Sequence, residues 1–182
     1  MFVIFEESVE DRDEFCSLYE KANAVIYKRV FAILKNKQDT EDALQDTWLK
    51  IMKNFDKIKK QSCDRKIGFV CIVAKNTAID IYNKKKKEIN VDNLEAVAPD
   101  NMENLENIVV SKIESDGVIS AVSYISDTYK NPLILKYIYS FSNKEIAEIL
   151  NISETNVSTR LSRAKTMLKD TIIKRDGGYE RY

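Results

Sequence analysis

Apolar residues recur along much of this chain at the spacing of amphipathic helices. Over residues 11–35, Phe15, Leu18, Tyr19, Ala22, Val25, Ile26, Val30, Ile33 and Leu34 fall near a 3.6-residue period and predict one long helix. The polar run NKQD at 36–39 breaks it. A second helix is expected from Asp39, which can serve as N-cap, with acids in the first turn where the helix dipole favours them. Its apolar face would be Ala43, Leu44, Trp48, Ile51, Met52 and Phe55. KIKKQSCDRK at 57–66 reads as a basic loop. A third helix over 65–86 would bury Phe69, Val70, Ile72, Val73, Ala78, Ile79 and Ile81, and it ends in four lysines at 84–87.

The pattern then weakens. EINVDNLEAVAPDNMEN, from residue 88 on, has many Asn and acids and one Pro, so 88–110 reads as a linker. Helical spacing returns over 108–126 and 128–139. Pro132 is then expected in a first helical turn, where its missing N–H costs nothing. The tail 176–182 is expected to be loose. This pattern gives an all-α chain with two small helical domains, 1–87 and 111–175.

The pair at 141–175 carries the most local detail. Ser142 followed by Glu145 is a capping-box pattern. Ile146, Ala147, Ile149 and Leu150 form an apolar face. Asn151 stands where a left-handed residue would reverse the chain, and Asn tolerates that conformation. Ser153 then caps a second helix whose Val157, Leu161, Ala164 and Leu168 form one stripe. Ser158, Thr159, Ser162, Arg163 and Thr166 lie off it. Short hydroxyls and forked donors on an exposed helix face suit base edges and phosphates in a major groove.

Composition narrows the chemistry. The 182 residues contain no His, three Cys without a Cys-x-x-Cys pair, four Gly and two Pro. Neither a zinc site nor a Gly-rich phosphate loop is proposed, and the commonest general base is absent. No catalytic residue, metal or cofactor is therefore assigned. No apolar run reaches the roughly 18 residues of a membrane span, and the acidic start does not read as a signal peptide. The expectation is a cytosolic protein with reduced thiols. Net charge is zero, but the charge is segregated. Residues 1–20 carry one Arg against seven acids. Residues 59–87 carry nine Lys and Arg against two acids. Residues 88–116 carry Lys112 against eight acids, and 153–175 carry six bases against two acids. Two basic feet around an acidic segment fit a polyanion held at two places.

EIAEILNISETNVSTRLSRAKTML resembles region 4 of bacterial RNA polymerase sigma factors of the extracytoplasmic-function (ECF) type. Glu145, Ile146, Ala147, Leu150, Ile152, Ser153, Val157, Arg160, Leu161, Arg163 and Ala164 match. Asn151 replaces the usual Gly and Asn156 the usual Thr. DTEDALQDTWLKIM is similar to the region 2 signature through Asp39, Glu41, Asp42, Gln45 and Asp46, with Trp48 at the aromatic place and Met52 where Trp is usual. AKNTAIDIYNKKKK is similar to the end of region 2 through Ala74, Lys75, Asn76, Ala78, Ile79 and Asp80. The likeness spans about 11–87 and 112–172, in the family's order. Lys66, Ile67 and Phe69 depart from the usual stretch before Ala74.

The resemblance implies three interfaces. Glu41, Asp42, Gln45 and Asp46 would bind core RNA polymerase. Lys59, Lys60, Arg65, Lys75, Asn76, Tyr82, Asn83 and Lys84 would hold the downstream promoter element, melted to a single strand. For Tyr82 the pattern leaves base stacking and core packing both open. Ser153, Ser158, Thr159, Arg160, Ser162, Arg163 and Lys165 would hold the upstream element as duplex. An anti-sigma factor is a further partner that the resemblance allows, and membrane insertion is not implied. A linker of about 25 residues spans roughly 80 Å when extended, enough for two feet on separated elements. Two other readings fit a helix-turn-helix: a stand-alone regulator with a helical dimerisation or sensor domain, and a helical protein-interaction regulator. EDALQD and AKNTAID, present in order, favour the sigma factor.

Overall fold

The computed structural model describes residues 9–89, 122 and 124–176, and the described secondary structure is helical. The expected helix over 108–126 falls almost wholly outside the described residues, as do the linker and the tail. The chain divides into two compact units, Met1–Glu103 and Asn104–Tyr182.

In the first unit, α1 (Val9–Leu34), α2 (Lys37–Lys53) and α4 (Cys63–Ile89) pack pairwise, with the short α3 (Phe55–Ile58) between α2 and α4. Of the periodic positions of α1, Leu18, Ala22, Ile26, Val30 and Ile33 are buried, Phe15, Val25 and Leu34 are half-buried at its edges, and Tyr19 is exposed. The α1–α2 break is two residues long. Lys35 takes φ 51° and Asn36 is extended. Asn36, not Asp39, is the N-cap of α2. Its side chain accepts from the Asp39 amide at 3.1 Å, which makes Asp39 the third helical residue. An amide oxygen caps as well as a carboxylate, and a cap at Asn36 lets Thr40 become the first buried residue of α2.

The basic loop is shorter than the pattern suggests. Phe55 and Ile58, three residues apart, are fully buried and pull one helical turn against the core, and α4 starts at Cys63. An aromatic cluster joins α1 to α2. Trp48 meets Phe15 edge-on at 5.8 Å and Tyr19 at 4.8 Å, and its Nε1 donates to Asn23 Oδ1 at 3.1 Å.

In the second unit, α5 (Asp127–Tyr137), α6 (Asn143–Leu150) and α7 (Glu154–Asp176) pack on one another. Pro132 does not sit in a first turn. The helix α5 begins at Asp127, so Pro132 is its sixth residue and lies in the second turn. Thr128 thereby loses the amide partner of its carbonyl, but Thr128 is an exposed residue, while Pro132 is buried among Ile134 and Leu135. Burial of the ring on the core side offsets a hydrogen bond lost on the wet side. Lys130 is also buried, with its ammonium 2.9 Å from Asp127.

Candidate nucleic-acid and partner interfaces

The α6–α7 corner is set by four local devices. The Ser142 side chain accepts from the Glu145 amide at 3.3 Å, and the Glu145 carboxylate accepts from the Ser142 amide at 2.8 Å. Asn151 takes φ 51°, ψ 47°, the left-handed conformation in which a non-Gly residue is best an Asn. The Ile152 amide donates back to the Ala147 carbonyl at 3.0 Å, closing the helix end. Ser153 Oγ accepts from the Asn156 amide at 3.1 Å and starts α7. These bonds fix the two helices as a helix-turn-helix, with Ile146, Ala147, Ile149 and Leu150 buried against Val157, Leu161 and Ala164.

What α7 leaves outside is a hydroxyl-rich face with basic edges. Ser153, Ser158, Thr159, Ser162, Arg163 and Lys165 are exposed, and Arg160 is half-buried. At 3.6 residues per turn, Thr159, Ser162 and Thr166 lie opposite the buried stripe, with Arg163 beside them. Several of these side chains are already oriented. Arg160 Nε donates to Asn156 Oδ1 at 3.0 Å. Arg163 Nη1 reaches the Tyr129 hydroxyl of α5 at 3.4 Å, and Lys165 lies 5.6 Å from the Tyr137 ring centre. Ser158 Oγ accepts from Asn143 of α6 at 3.2 Å. Sequence reasoning missed Tyr129, Tyr137 and Asn143. They reach α7 from other helices, and no local spacing announces that.

In the first unit, Glu41, Asp42, Gln45 and Asp46 are all exposed. They share one side of α2, and the buried Thr40, Ala43, Leu44, Thr47, Trp48 and Ile51 take the other. The flank is lightly tied: Lys37 stands 3.8 Å from Glu41, and Gln38 Nε2 donates to Asp42 at 3.3 Å. Exposed pairs of this kind contribute little to stability and exchange readily for a partner's cations. Asp39, which heads the same stretch, is tied to Lys85 of α4 at 2.5 Å.

The basic segment is less uniform than its composition. Lys60 and Lys84 are exposed, and Arg65, Lys75, Asn76, Tyr82 and Asn83 are half-buried. Lys75 with Tyr82, and Asn76 with Asn83, are seven residues apart on α4, so each pair lies on one side about 10 Å apart. Tyr82 is neither core nor fully exposed. Lys59 differs from the rest. Its ammonium sits 3.1 Å from Asp11 and 2.7 Å from Asp56. Its hydrogen bonds to Asp56 and Asp11 hold it well above the ordinary lysine range, so it stays charged through neutral pH. Lys66 is held in the same way by Glu14 and by the Lys59 carbonyl. These two lysines tie the α3–α4 corner to the first turns of α1, so Lys59 already faces two carboxylates of its own chain.

Among the described residues no group of His, Cys, Asp and Glu could hold a metal, and no helix is long and apolar enough to cross a membrane. Cys16, Cys63 and Cys71 are free thiols, Cys71 buried.

The geometry is that of a helix-turn-helix unit and a separate unit with one acidic helix flank. Family models match both: Sigma-70 region 2 over residues 18–88, and Sigma-70, region 4 over residues 116–168. The chain belongs to the sigma-70 family of RNA polymerase sigma factors. It is of the ECF type and acts in promoter recognition for transcription initiation. The ECF RNA polymerase sigma factor SigW of Bacillus subtilis is 28% identical over 170 residues, covering 87% of this chain and 89% of SigW. SigM of the same organism is 28% identical over 153 residues, covering 84% of this chain and 91% of its own. The solved sigma factor RpoE in complex with the anti-sigma factor NepR, from Bartonella quintana, aligns over 92% of this chain and 99% of its own at 16% identity, with a TM-score of 0.38.

Proposed function

We propose that this sigma factor divides its work between its two units. Residues 1–87 bind core RNA polymerase and hold the melted downstream element. Residues 88–110 link the units, and 111–175 hold the upstream element as duplex. The observation that carries the reading is the exposed Ser/Thr/Arg face of α7, placed by a fully capped helix-turn-helix. Hydroxyls and a guanidinium on such a face reach base edges, and the N-terminus of α7 at Ser153 offers free backbone amides to a phosphate.

Core polymerase docks on the α2 flank. Glu41, Asp42, Gln45 and Asp46 offer carboxylates and one amide to basic partner side chains, and the buried side of the same helix holds them rigidly. Gln45→Ala with Asp46→Ala is expected to weaken binding of core polymerase about tenfold or more while helicity is unchanged. Titration of labelled chain with core enzyme measures this. Equal affinity in the double variant rejects the flank as the dock.

The α4 side that carries Lys75, Asn76, Tyr82 and Asn83, with Lys60, Arg65 and Lys84 near it, holds the downstream strand. Cations follow the backbone and Tyr82 offers a ring for an unstacked base. Lys59 contributes by holding the α3–α4 corner rather than by touching DNA. Run-off transcription with core polymerase and a promoter library tests the whole assignment. Specific duplex binding without polymerase, and no gain in initiation with it, would favour a stand-alone regulator. For the domain limits, limited proteolysis is expected to cut first between 88 and 110, and early cleavage inside 39–58 contradicts them.

A further inference from the structure

Three helices meet at Asn143. It is the first residue of α6, just past the Ser142 cap, and it is half-buried. Lys136 of α5 donates from Nζ to Asn143 Oδ1 at 3.0 Å. Asn143 Nδ2 donates to Ser158 Oγ of α7 at 3.2 Å. The direction of this relay is not arbitrary. An ammonium can only donate, so the side of the Asn143 amide that faces Lys136 must be its oxygen. The NH2 side then faces Ser158, and the Ser158 oxygen is an acceptor in that bond. Its own proton is left for another acceptor.

We propose that Asn143 is a positioning residue that makes Ser158 a hydrogen-bond donor toward an acceptor atom of the upstream duplex. A free serine hydroxyl rotates and serves as donor or acceptor, so it selects little. Once Asn143 occupies one of its two lone pairs, Ser158 is biased toward acceptors: guanine O6 or N7, adenine N7, thymine O4, or a phosphate oxygen. Its second lone pair stays open, so the amide shifts the balance toward donation without closing Ser158 to the amino groups of adenine and cytosine. Lys136 sets the amide, the amide sets the hydroxyl, and the hydroxyl meets the DNA. This inference rests on the reading of α7 as the helix that holds the upstream element.

The test is a double-mutant cycle in the full-length chain assembled with core polymerase, read as initiation from templates that carry every single-base variant of the upstream element. Ser158→Ala and Asn143→Ala are each expected to lower initiation roughly two- to tenfold, the range of one hydrogen bond. In the Ser158→Ala background, Asn143→Ala should then cost nothing more. Lys136→Met keeps the aliphatic stem, frees the amide to flip, and should reproduce part of the Asn143→Ala effect. A loss confined to variants of one base pair identifies a base acceptor, and an equal loss across all variants identifies a phosphate; either supports the donor role. If Asn143→Ala costs as much without Ser158 as with it, Asn143 meets the DNA itself and the relay is overturned. If Ser158→Ala is silent while Arg163→Ala is not, the relay fails and the α7 reading stands. If both are silent, the α7 reading fails first. Circular dichroism of each variant guards against misfolding, and the intact Ser142–Glu145 capping box gives Asn143→Ala a good start.

Discussion

Trp48→Ala is expected to destabilise the first unit by about 3–5 kcal/mol, the usual cost of deleting a large buried aromatic. Trp48 is 8% exposed, and its ring fills the space between Phe15 and Tyr19 of α1. Removing it opens a gap beside the half-buried Phe15 and the exposed Tyr19 and strips both of their shared ring contact. It also leaves Asn23 without the indole that donates to it. A loss of that size is a large share of the roughly 5–15 kcal/mol of a typical domain. Trp48→Phe keeps a ring against Phe15 and drops only the indole N–H, so it should cost clearly less. The chain has a single Trp, so the measurement is urea unfolding followed by far-ultraviolet circular dichroism rather than by indole emission. With two units present, two transitions are to be fitted, and only the first unit's should move. A cost below about 1 kcal/mol would mean that the cluster is not part of the core. Function follows stability here. The exposed Glu41, Asp42, Gln45 and Asp46 are held in place by the helix side that Trp48 anchors, so a loosened α2 should also bind core polymerase more weakly.

The first unit's helices were legible because burial and period coincide. Leu18, Ala22, Ile26, Val30 and Ile33 are spaced four, four, four and three residues apart, and all are buried. The α6–α7 corner was legible for a different reason. Its devices are local, and Ser142, Glu145, Asn151 and Ser153 each act within a few residues of themselves. What stayed hidden was non-local. Lys59 and Lys66 look like free cations in a basic run, and only the fold brings Asp11 and Glu14 to them from some fifty residues away. Asp39 looks like a cap and like part of the acidic flank. The fold hands the cap to Asn36 and turns the carboxylate to Lys85. Pro132 looks like a first-turn residue, but α5 begins at Asp127 and makes it the sixth, with its ring buried and the stranded carbonyl on the exposed Thr128.

Arg163 and Lys165 are two residues apart on α7 and should behave differently. Two residues on a helix differ by about 200° in direction, so the two cations leave the helix on opposite sides. Arg163 leaves beside Thr159 and Thr166, on the side away from the Val157, Leu161 and Ala164 stripe. Its guanidinium rests at 3.4 Å from the Tyr129 hydroxyl, a long bond that a better partner can replace. A fork of that kind meets guanine O6 and N7 together, worth about 1–3 kcal/mol of discrimination. Lys165 lies over the Tyr137 ring at the flank of the helix, where only the backbone of a duplex is expected within its reach. Arg163→Ala is therefore expected to lower initiation roughly 5- to 150-fold on the best upstream element and to relax preference at one base pair. Lys165→Ala should weaken binding evenly across sequences and reduce the salt slope by about one unit. Initiation and affinity measured for both variants against every single-base change of the upstream element, at several salt concentrations, separate the two roles. Should Arg163→Ala lose affinity equally for every sequence, then Arg163 grips the backbone and the reading of bases falls to Thr159 and Ser162, which share the exposed face with it.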